Sequence, residues 1–244
     1  MIKKKIAILL PYKENFSESN AGAASIWVKD YLSLSKLKGL TNVYGNLKKN
    51  LRPLTSNFIN IDISGKIVRK NIKYTEILYK DCLKKKYSII EIHNRPESLL
   101  FLIKKKINAK LTFIFHNNPI DMRGSTSINE RLFIAENCDQ VYFVSKWVKD
   151  KFFEDLPYKH RNNCEILYPA IIPLKKFPKK NNLIIFSGKL NSSKGYDIFG
   201  EAVTKILDKY KEWKAIAVGN EPREKYFFNH KNFKILDWIK HNEI

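Results

Sequence analysis

The stretch Phe186–Gly195, which reads FSGKLNSSKG, decides the fold class that we predict for this chain. The apolar run Leu183–Phe186 precedes it, and an amphipathic helical pattern extends from about Gly195 to Tyr210. A strand that ends in a glycine-containing loop and opens a helix directs backbone N–H groups beyond its carboxyl end, where the helix dipole also favours an anion. Lys189 and Lys194 add positive charge suited to a diphosphate. This order favours a phosphate-binding loop over a solvated, lysine-containing loop.

Outward from this stretch, short apolar runs alternate with helical patterns along the chain. The predicted strands are 6–10, a short run near Val43, 58–63, 88–93, 111–115, 140–144, 164–167, 183–186, 214–218 and 233–236. The predicted helices run from the small-residue segment 21–24 through Leu37, over 72–83, from Pro96 onward, over 128–137, from Lys146 through Phe153 and over 197–210. Such alternation indicates a parallel, doubly wound sheet.

The segment 173–182 contains two prolines and four lysines and is typical of a linker between domains. We therefore predict an α/β fold, with one complete Rossmann-like domain at 1–175 and the first part of a second at 176–244. A length of 244 residues and a hydrophobic content of 44% are sufficient for a core of this kind.

The residues GKL at 188–190, KG at 194–195 and Asp197 together resemble the donor-phosphate loop of the retaining family 4 glycosyltransferases. The pattern of that family reads Gly-Arg-Leu, a short polar stretch and then Lys-Gly-x-Asp. The segment 213–222 is similar to the next strand and loop of the family. The resemblance implies a GT-B architecture of two Rossmann-like domains. The resemblance also implies that the donor phosphates are bound by Gly188, Lys189, Lys194 and Gly195.

The resemblance also implies the chemistry. The donor is a nucleotide sugar, the acceptor is a glycan or a lipid-linked glycan, and the sugar is transferred with retention, as in the synthesis of cell-surface polysaccharide or lipopolysaccharide. Lys189, Lys194 and the N–H groups near Gly195 would stabilise the leaving diphosphate in place of a divalent metal, so we expect neither a cofactor nor a metal site. Lys189 stands where the family has Arg, which keeps the charge but loses the planar two-point grip.

Candidates for the substrate side lie in the N-terminal domain. His116 follows the predicted strand 111–115 and matches by position a histidine that lies near the transferred sugar in the family. It is therefore the catalytic candidate, and a hydrogen-bonded structural imidazole is the alternative. Gly22 occupies the place of the family's glycine-rich loop, where a substrate approaches the backbone, and a simple helix start is the alternative.

His93, Asn94 and Arg95 end the preceding strand at the same edge of a parallel sheet, where ligands bind. Arg95 is suited to a bidentate grip on an acceptor phosphate or carboxylate, although a surface arginine fits the same position. Asn117 lies in the polar loop 117–126, which is long enough to close over an acceptor. These residues complete the predicted acceptor side.

The acidic Glu-x7-Glu element that holds the donor sugar in the family has no counterpart before Ile244. Two expectations stay open at this point. The chain is a fragment of a longer glycosyltransferase, or it is a truncated, catalytically inactive remnant that binds a nucleotide or a sugar.

The formal net charge of +21 raises a basic nucleic-acid-binding protein as a further alternative. Of the 45 basic residues only seven are Arg, and the lysines fall in short, separated runs without a stripe of interleaved aromatic residues, so we expect no nucleic-acid partner. Lysines near an anionic bilayer contribute about 1 kcal/mol each. A handful of lysines on one face would therefore hold the protein at the inner face of the cell membrane, and plain solvated charge is the alternative.

The cysteine spacing, the length of the apolar runs and the first strand–helix junction limit the cellular compartment and the cofactor that we expect. Cys82, Cys138 and Cys164 show neither metal-ligand nor CxxC spacing, which is typical of a reduced, cytosolic protein. The apolar run 6–10 is too short for a signal peptide, and no apolar run approaches the length of a bilayer span, so a cytoplasmic location is expected. The first strand–helix junction carries no GxGxxG motif, which argues against a dinucleotide-dependent oxidoreductase.

Overall fold

The computed structural model describes residues 5–18, 21–48, 50–63, 69–169, 172–173 and 176–239. The chain divides into two compact units, of which the first extends to Ile172 and the second begins at Pro173. The predicted linker 173–182 therefore opens the second unit, and its residues 174 and 175 lie outside the described residues.

One parallel sheet organises the first unit. Its strands are β1 (Ile6–Leu9), β2 (Thr41–Gly45), β3 (Phe58–Asn60), β4 (Ile89–His93), β5 (Lys110–Phe115), β6 (Gln140–Phe143) and β7 (Cys164–Ile166). They pair in the order β3-β2-β1-β4-β5-β6-β7, with every neighbouring pair parallel. Their runs of Ile, Leu, Val and Phe suit strands that are buried on both faces. The doubly wound parallel sheet predicted from the sequence is confirmed.

Five α-helices flank this sheet: α1 (Ala23–Leu34), α2 (Lys70–Lys85), α3 (Pro96–Lys104), α4 (Ile128–Asn137) and α5 (Lys146–Phe153). Two of them start at serine caps. The Ser127 hydroxyl accepts the Glu130 N–H at 3.2 Å, and the Glu130 carboxylate accepts the Ser127 N–H at 3.1 Å, which is a capping box. The Ser145 hydroxyl accepts the Val148 N–H at 3.2 Å, as its position before a helical pattern predicts.

Two element ends differ from the prediction. α1 ends at Leu34, short of the predicted Leu37, because the chain tightens into a 3-10 turn before β2. The predicted strand 58–63 is restricted to Phe58–Asn60, whose last residue pairs with Gly45 at the end of β2. β3 is an edge strand with a single neighbour, so its pairing stops where that neighbour stops.

The strand order reverses at β1, since β2 and β3 lie on one side of it and β4 to β7 on the other. In an open parallel sheet this reversal opens a crevice at the carboxyl ends of the two strands that flank it. The crevice of this unit therefore lies where β1 and β4 end. His93 is the last residue of β4, and α1 begins beside the same edge.

The second unit is a smaller parallel sheet. Its strands β8 (Leu183–Ser187), β9 (Lys214–Val218) and β10 (Phe233–Leu236) pair in the order β10-β9-β8, and α6 (Tyr196–Lys209) connects β8 to β9. Val203 and Leu207 of α6 pack against Ala215 on one face of this sheet. Ile185 and Leu236 are exposed on the opposite face. In the described parts of both units, every helix is too short or too polar to cross a lipid bilayer.

A buried arginine joins α4 to the end of α5. The side chain of Arg131 is 2% exposed, and its guanidinium donates to the carbonyl oxygens of Phe152 at 2.8 Å, Glu154 at 2.7 Å and Thr126 at 2.9 Å. A guanidinium carries five N–H donors in a fixed fork. One side chain therefore satisfies carbonyl groups from two separate segments.

We expect Arg131→Gln to lower the free energy of unfolding of the first unit by about 2–4 kcal/mol, because it leaves buried carbonyl groups without donors. Urea unfolding followed by far-ultraviolet circular dichroism measures this loss. The matched control is Arg52→Gln at an exposed position, for which we expect a change within about 0.5 kcal/mol. An equal loss in the two variants would contradict the role given to Arg131.

Candidate functional site

The carboxyl ends of β4 and β5 bring several predicted site residues together. His93 pairs with Ile114, so His116, the first residue after β5, lies two positions beyond the partner of His93. Asn94 and Asn117 follow the two histidines in the sequence. Because β4 and β5 are parallel, all of these residues lie at one edge of the sheet.

Asn94 connects the two loops that leave this edge. Its backbone adopts a left-handed conformation with φ of 54°, which asparagine tolerates better than most residues. Its side-chain oxygen accepts the backbone N–H groups of His116 at 3.2 Å and Asn117 at 3.3 Å. Asn94 is only 8% exposed, so its contribution to the site is to hold the backbone of the two loops in place.

Arg95 and Asn117 offer hydrogen-bond donors at the same edge. One guanidinium nitrogen of Arg95 donates to the Asn94 carbonyl at 2.7 Å. Among the described residues, no side chain or backbone group pairs with the other guanidinium donors of Arg95 or with the side-chain amide of Asn117. These groups are therefore open to a polar or anionic ligand.

A hydrogen-bonded chain of titratable side chains extends inward from His116. Its Nε2 lies 2.9 Å from Nδ1 of His93, and the two rings stack with centroids 5.2 Å apart. Nε2 of His93, which has no exposed surface, lies 2.7 Å from Oε1 of Glu91. The Tyr31 hydroxyl donates to the same oxygen at 2.5 Å. The chain therefore connects His116 at the crevice, through the buried His93, to the partly buried carboxylate of Glu91.

Helix α1 covers this chain with two side chains one turn apart. Trp27 packs edge-on against both imidazoles, with centroids 5.6 Å from His93 and 5.1 Å from His116. Tyr31, four residues later, reaches Glu91, and burial followed by the Glu91 charge raises the pKa of its hydroxyl well above the usual range. Burial, and secondarily the nearby His93, lowers the pKa of the His116 imidazole to about 3. His116 is therefore neutral near pH 7.

Sequence reasoning identified both histidines but missed the residues that hold them. Trp27 and Tyr31 read as ordinary apolar positions of an amphipathic helix, and nothing in the sequence distinguishes them from core residues. Glu91 carried a signal that could have been used. It is a carboxylate within the otherwise apolar run Ile89–Ile92, and it lies two residues before His93, on the same face of the strand.

Gly22 is the residue that caps the start of α1. A side chain at this position would overlap the carboxyl group of Glu14, which also accepts the Ser25 hydroxyl at 3.2 Å. The close approach that Gly22 permits is therefore made by the protein's own carboxylate. An approach by a substrate at this glycine stays a prediction.

In the second unit, the loops after β8 and β9 meet at two glycines. Gly188 and Gly219 both have φ in the region that favours glycine, at 155° and 145°. A Cβ at Gly219 would overlap the carbonyl oxygen of Gly188, whose own N–H donates to the Val218 carbonyl at 3.0 Å. This contact places Lys189 beside the loop that follows Gly219.

The backbone N–H groups around Gly195 are used inside the loop. Gly195 N–H donates to Ser192 O at 2.9 Å, and Tyr196 N–H donates to Asn191 O at 3.1 Å across a 3-10 turn. In the described chain, Asp197 and Ile198 are the residues of the first turn of α6 whose N–H groups have no acceptor. The N–H groups closest to Gly195 are therefore occupied, and binding of a diphosphate by N–H groups of this helix start stays a prediction. The side chains of Lys189 and Lys194 are exposed.

Two carboxylates that the sequence reasoning did not consider adjoin this loop. Glu221 is held by Arg223 through two hydrogen bonds, at 2.7 and 2.8 Å, and these bonds, with a smaller effect of Lys189, lower the pKa of its carboxyl to about 2. Glu224 accepts both the N–H and the hydroxyl of Ser192, at 2.9 and 3.0 Å. The positive charge of the loop is therefore partly balanced before any ligand binds.

Within the described ranges, no group of three or more His, Cys, Asp or Glu side chains is arranged to hold a metal ion. The expectation that the site uses no metal stays a prediction.

No protein-family model matches this chain, and no curated protein sequence is significantly similar to it. Solved structures share its fold. HepE (Alr3699) from Anabaena, in complex with UDP-glucose, is 12% identical with a TM-score of 0.67, over 96% of this chain and 69% of HepE. Sucrose-phosphate synthase from Thermosynechococcus elongatus is 14% identical with a TM-score of 0.68, over 99% of this chain and 72% of the synthase. The UDP-N-acetylglucosamine 2-epimerase from Rickettsia bellii is 12% identical with a TM-score of 0.55, over 98% of this chain and 70% of the epimerase.

These similarities confirm the predicted fold class, which is α/β and GT-B-like, with one complete Rossmann-like unit and the first part of a second. At such low identities they show the fold alone. Enzymes of different chemistry share this fold, and membership of family 4 stays a resemblance in the loop after β8.

The ion pair between Glu221 and Arg223 gives a direct test of the charge balance around Lys189. We expect the Glu221 carboxyl to titrate with a pKa of about 2 in the unaltered chain, and with a value near the ordinary 4.3 in Arg223→Gln, because the carboxylate then loses its main donors. Carbon-13 NMR titration of labelled glutamate measures both values. The control Lys225→Gln removes an exposed charge nearby and leaves the ion pair in place. A Glu221 pKa near 4.3 in the unaltered chain would exclude this geometry.

Proposed function

We propose that this chain belongs to a glycosyltransferase that moves a sugar, with retention, from a nucleotide-sugar donor to a glycan or lipid-linked acceptor. One observation carries the proposal: the loop with Gly188, Lys189, Lys194 and Gly195 connects the carboxyl end of a parallel strand to a helix, beside the glycine contact with Gly219. The fold shared with HepE, whose structure contains UDP-glucose, supports a nucleotide-sugar ligand.

The loop of the second unit is suited to the donor diphosphate. Lys189 and Lys194 are exposed, with long side chains that can reach phosphate oxygens, and the free N–H groups of Asp197 and Ile198 add fixed donors at the start of α6. Departure of the diphosphate concentrates negative charge on its oxygens, which these groups stabilise without a divalent cation. In this proposal, activity survives chelation of metal ions.

The first unit supplies the acceptor side. His116, Arg95 and Asn117 present open polar groups at the carboxyl edge of the sheet. A cavity of about 420 Å³ at the ends of β1 to β3 is lined by Lys13, Lys48 and Lys70 together with Tyr12, Glu14, Asn15, Asn46 and Ile63. The three lysines favour an acceptor that carries a phosphate or a carboxylate.

Two alternatives fit the same donor loop. A sugar-nucleotide epimerase is favoured by the fold shared with the Rickettsia bellii enzyme, and a protein that binds a nucleotide sugar without turnover needs only the contacts of the loop after β8. Incubation with a UDP-sugar labelled in the sugar distinguishes them. Label in a glycan supports transfer, a changed epimer supports epimerisation, and binding without product supports a protein that only binds.

A peripheral contact with an anionic membrane is part of the proposal, with the protein at the inner, cytoplasmic face. We use the name amino-edge surface for Leu83, Lys84, Lys86, Lys104, Lys106 and Lys110. They lie at the ends of α2 and α3 and at the start of β5, where both helices return to the amino ends of neighbouring strands. All six are exposed, and Leu83 is 57% exposed. An apolar side chain surrounded by lysines is suited to an anionic bilayer, and contact there leaves the opposite, carboxyl edge accessible.

The donor loop is tested by binding of UDP. We expect Lys194→Ala to raise the Kd for UDP about tenfold or more, because it removes a charge-assisted hydrogen bond to phosphate. The affinity for the acceptor changes less. Isothermal titration calorimetry measures both, with Lys205→Ala on the exposed side of α6 as the matched control. An unchanged Kd for UDP in Lys194→Ala would refute the assignment of this loop.

The membrane contact is tested by sedimentation with vesicles of phosphatidylserine and phosphatidylcholine. We expect the quadruple variant Lys84→Gln, Lys86→Gln, Lys104→Gln and Lys106→Gln to weaken partitioning at least about hundredfold, since each lysine contributes about 1 kcal/mol. The control changes Lys73, Lys146, Lys151 and Lys211 to Gln, four lysines that already pair with carboxylates. Equal losses in the two variants would show an effect of net charge alone, without a docking surface.

A further inference from the structure

The contacts of Glu91 determine where the protons of the buried chain lie. Its Oε1 accepts a hydrogen bond from the Tyr31 hydroxyl at 2.5 Å and lies 2.7 Å from Nε2 of His93. A carboxylate can only accept hydrogen bonds, so both partners donate. His93 therefore carries its proton on Nε2.

The proton of His116 follows from that of His93. With its proton on Nε2, a neutral His93 has an acceptor at Nδ1, and the atom 2.9 Å away is Nε2 of His116. That nitrogen must donate, which leaves Nδ1 of a neutral His116 as a bare acceptor. In the part of the chain that the structure describes, Nδ1 of His116 has no hydrogen-bond partner, and its side chain is only half-buried at the carboxyl edge.

We propose that Glu91 and His93 are positioning residues that hold His116 as the Nε2–H tautomer, so that its Nδ1 accepts a hydrogen bond from a hydroxyl group of the sugar or acceptor. The identity of that hydroxyl rests on the proposed function, whereas the proton positions do not. His93 has no exposed surface, so it acts on a ligand only through His116, and Glu91 acts through its hydrogen bond to His93.

The surroundings keep the tautomer and the ring orientation fixed. Trp27 packs edge-on against both imidazoles, which restricts rotation of either ring. The lowered pKa of His116, a consequence of burial and of nearby His93, keeps it neutral and thus able to accept. When a substrate hydroxyl shares its proton with Nδ1, positive charge develops on His116, and the Glu91 carboxylate stabilises that charge through His93.

Nitrogen-15 NMR of the full chain with labelled histidine, at pH 7, tests the proposal without any need for turnover. We expect His116 to show a protonated Nε2 and a bare Nδ1, and we expect the Nε2–H proton to be visible because it is hydrogen-bonded and shielded from water. In Glu91→Leu, which removes the acceptor for His93, we expect the Nε2–H resonance of His116 to be lost by exchange. In Glu91→Gln the side-chain carbonyl still accepts from His93, so the resonance is retained.

The matched control is Tyr31→Phe, which removes one hydrogen bond to Glu91 but leaves the bond between Glu91 and His93, and we expect it to keep the His116 resonance. A protonated Nδ1 on His116 in the unaltered chain overturns the proposal even if Glu91→Leu fails to fold. An unchanged resonance in a folded Glu91→Leu variant also overturns it.

Binding of UDP to the unaltered chain is measured in parallel. A chain with the expected tautomer that fails to bind UDP refutes the proposed function alone, whereas UDP binding with the opposite tautomer refutes only the positioning role.

Discussion

The parallel pairing of β4 with β1 on one side and β5 on the other is the constraint on which the rest of the first unit depends. Pairing fixes His93 opposite Ile114, and the period of two along a strand then places Glu91 and His93 on one face, with His116 beyond them. A shift of one residue in this register would turn Glu91 and His93 to the opposite face of the sheet. The site is therefore a consequence of strand register, and the loops only complete it.

Both units place a carboxylate of the protein where a helix start favours an anion. Glu14 lies against Gly22 at the start of α1, and Glu224 accepts the N–H and hydroxyl of Ser192 ahead of α6. These carboxylates stabilise the local structure when no ligand is bound, because Glu14 accepts the Ser25 hydroxyl and Glu224 accepts both donors of Ser192. In the proposed function, a diphosphate at the loop after β8 would use the free N–H groups of Asp197 and Ile198 or displace Glu224 from Ser192. The Glu221 carboxylate, which Arg223 holds, is close enough to Lys189 for the lysine to lower its pKa slightly further.

The sequence predicted what depends on periodicity and composition, and little of what depends on side-chain contacts. Apolar runs located the strands, and the loop after β8 could be identified because its order of glycine and lysine has a physical purpose. Glu91 and His93 are two residues apart on β4, but Tyr31 is distant along the chain, and only the position of α1 beside the sheet brings its hydroxyl to Glu91. The internal hydrogen bonds around Gly195 were missed for a similar reason. Unpaired N–H groups are expected at any helix start, yet a 3-10 turn can use them before a ligand does.

The first unit contains two polar networks, one around Arg131 and one that includes His93. They differ in whether every polar group has a partner within the protein, and this difference indicates which network serves stability and which serves a ligand. The Arg131 guanidinium bonds only to backbone carbonyls, so its network closes inside the protein and its whole effect is on stability. The network of Tyr31, Glu91 and His93 places a carboxylate and an imidazole where apolar side chains would pack at lower cost in desolvation. It ends at His116 with an acceptor that the described protein leaves unpaired. A network that served stability alone would have no reason to remain open at the crevice, so the open end is the strongest physical reason to look for the ligand there.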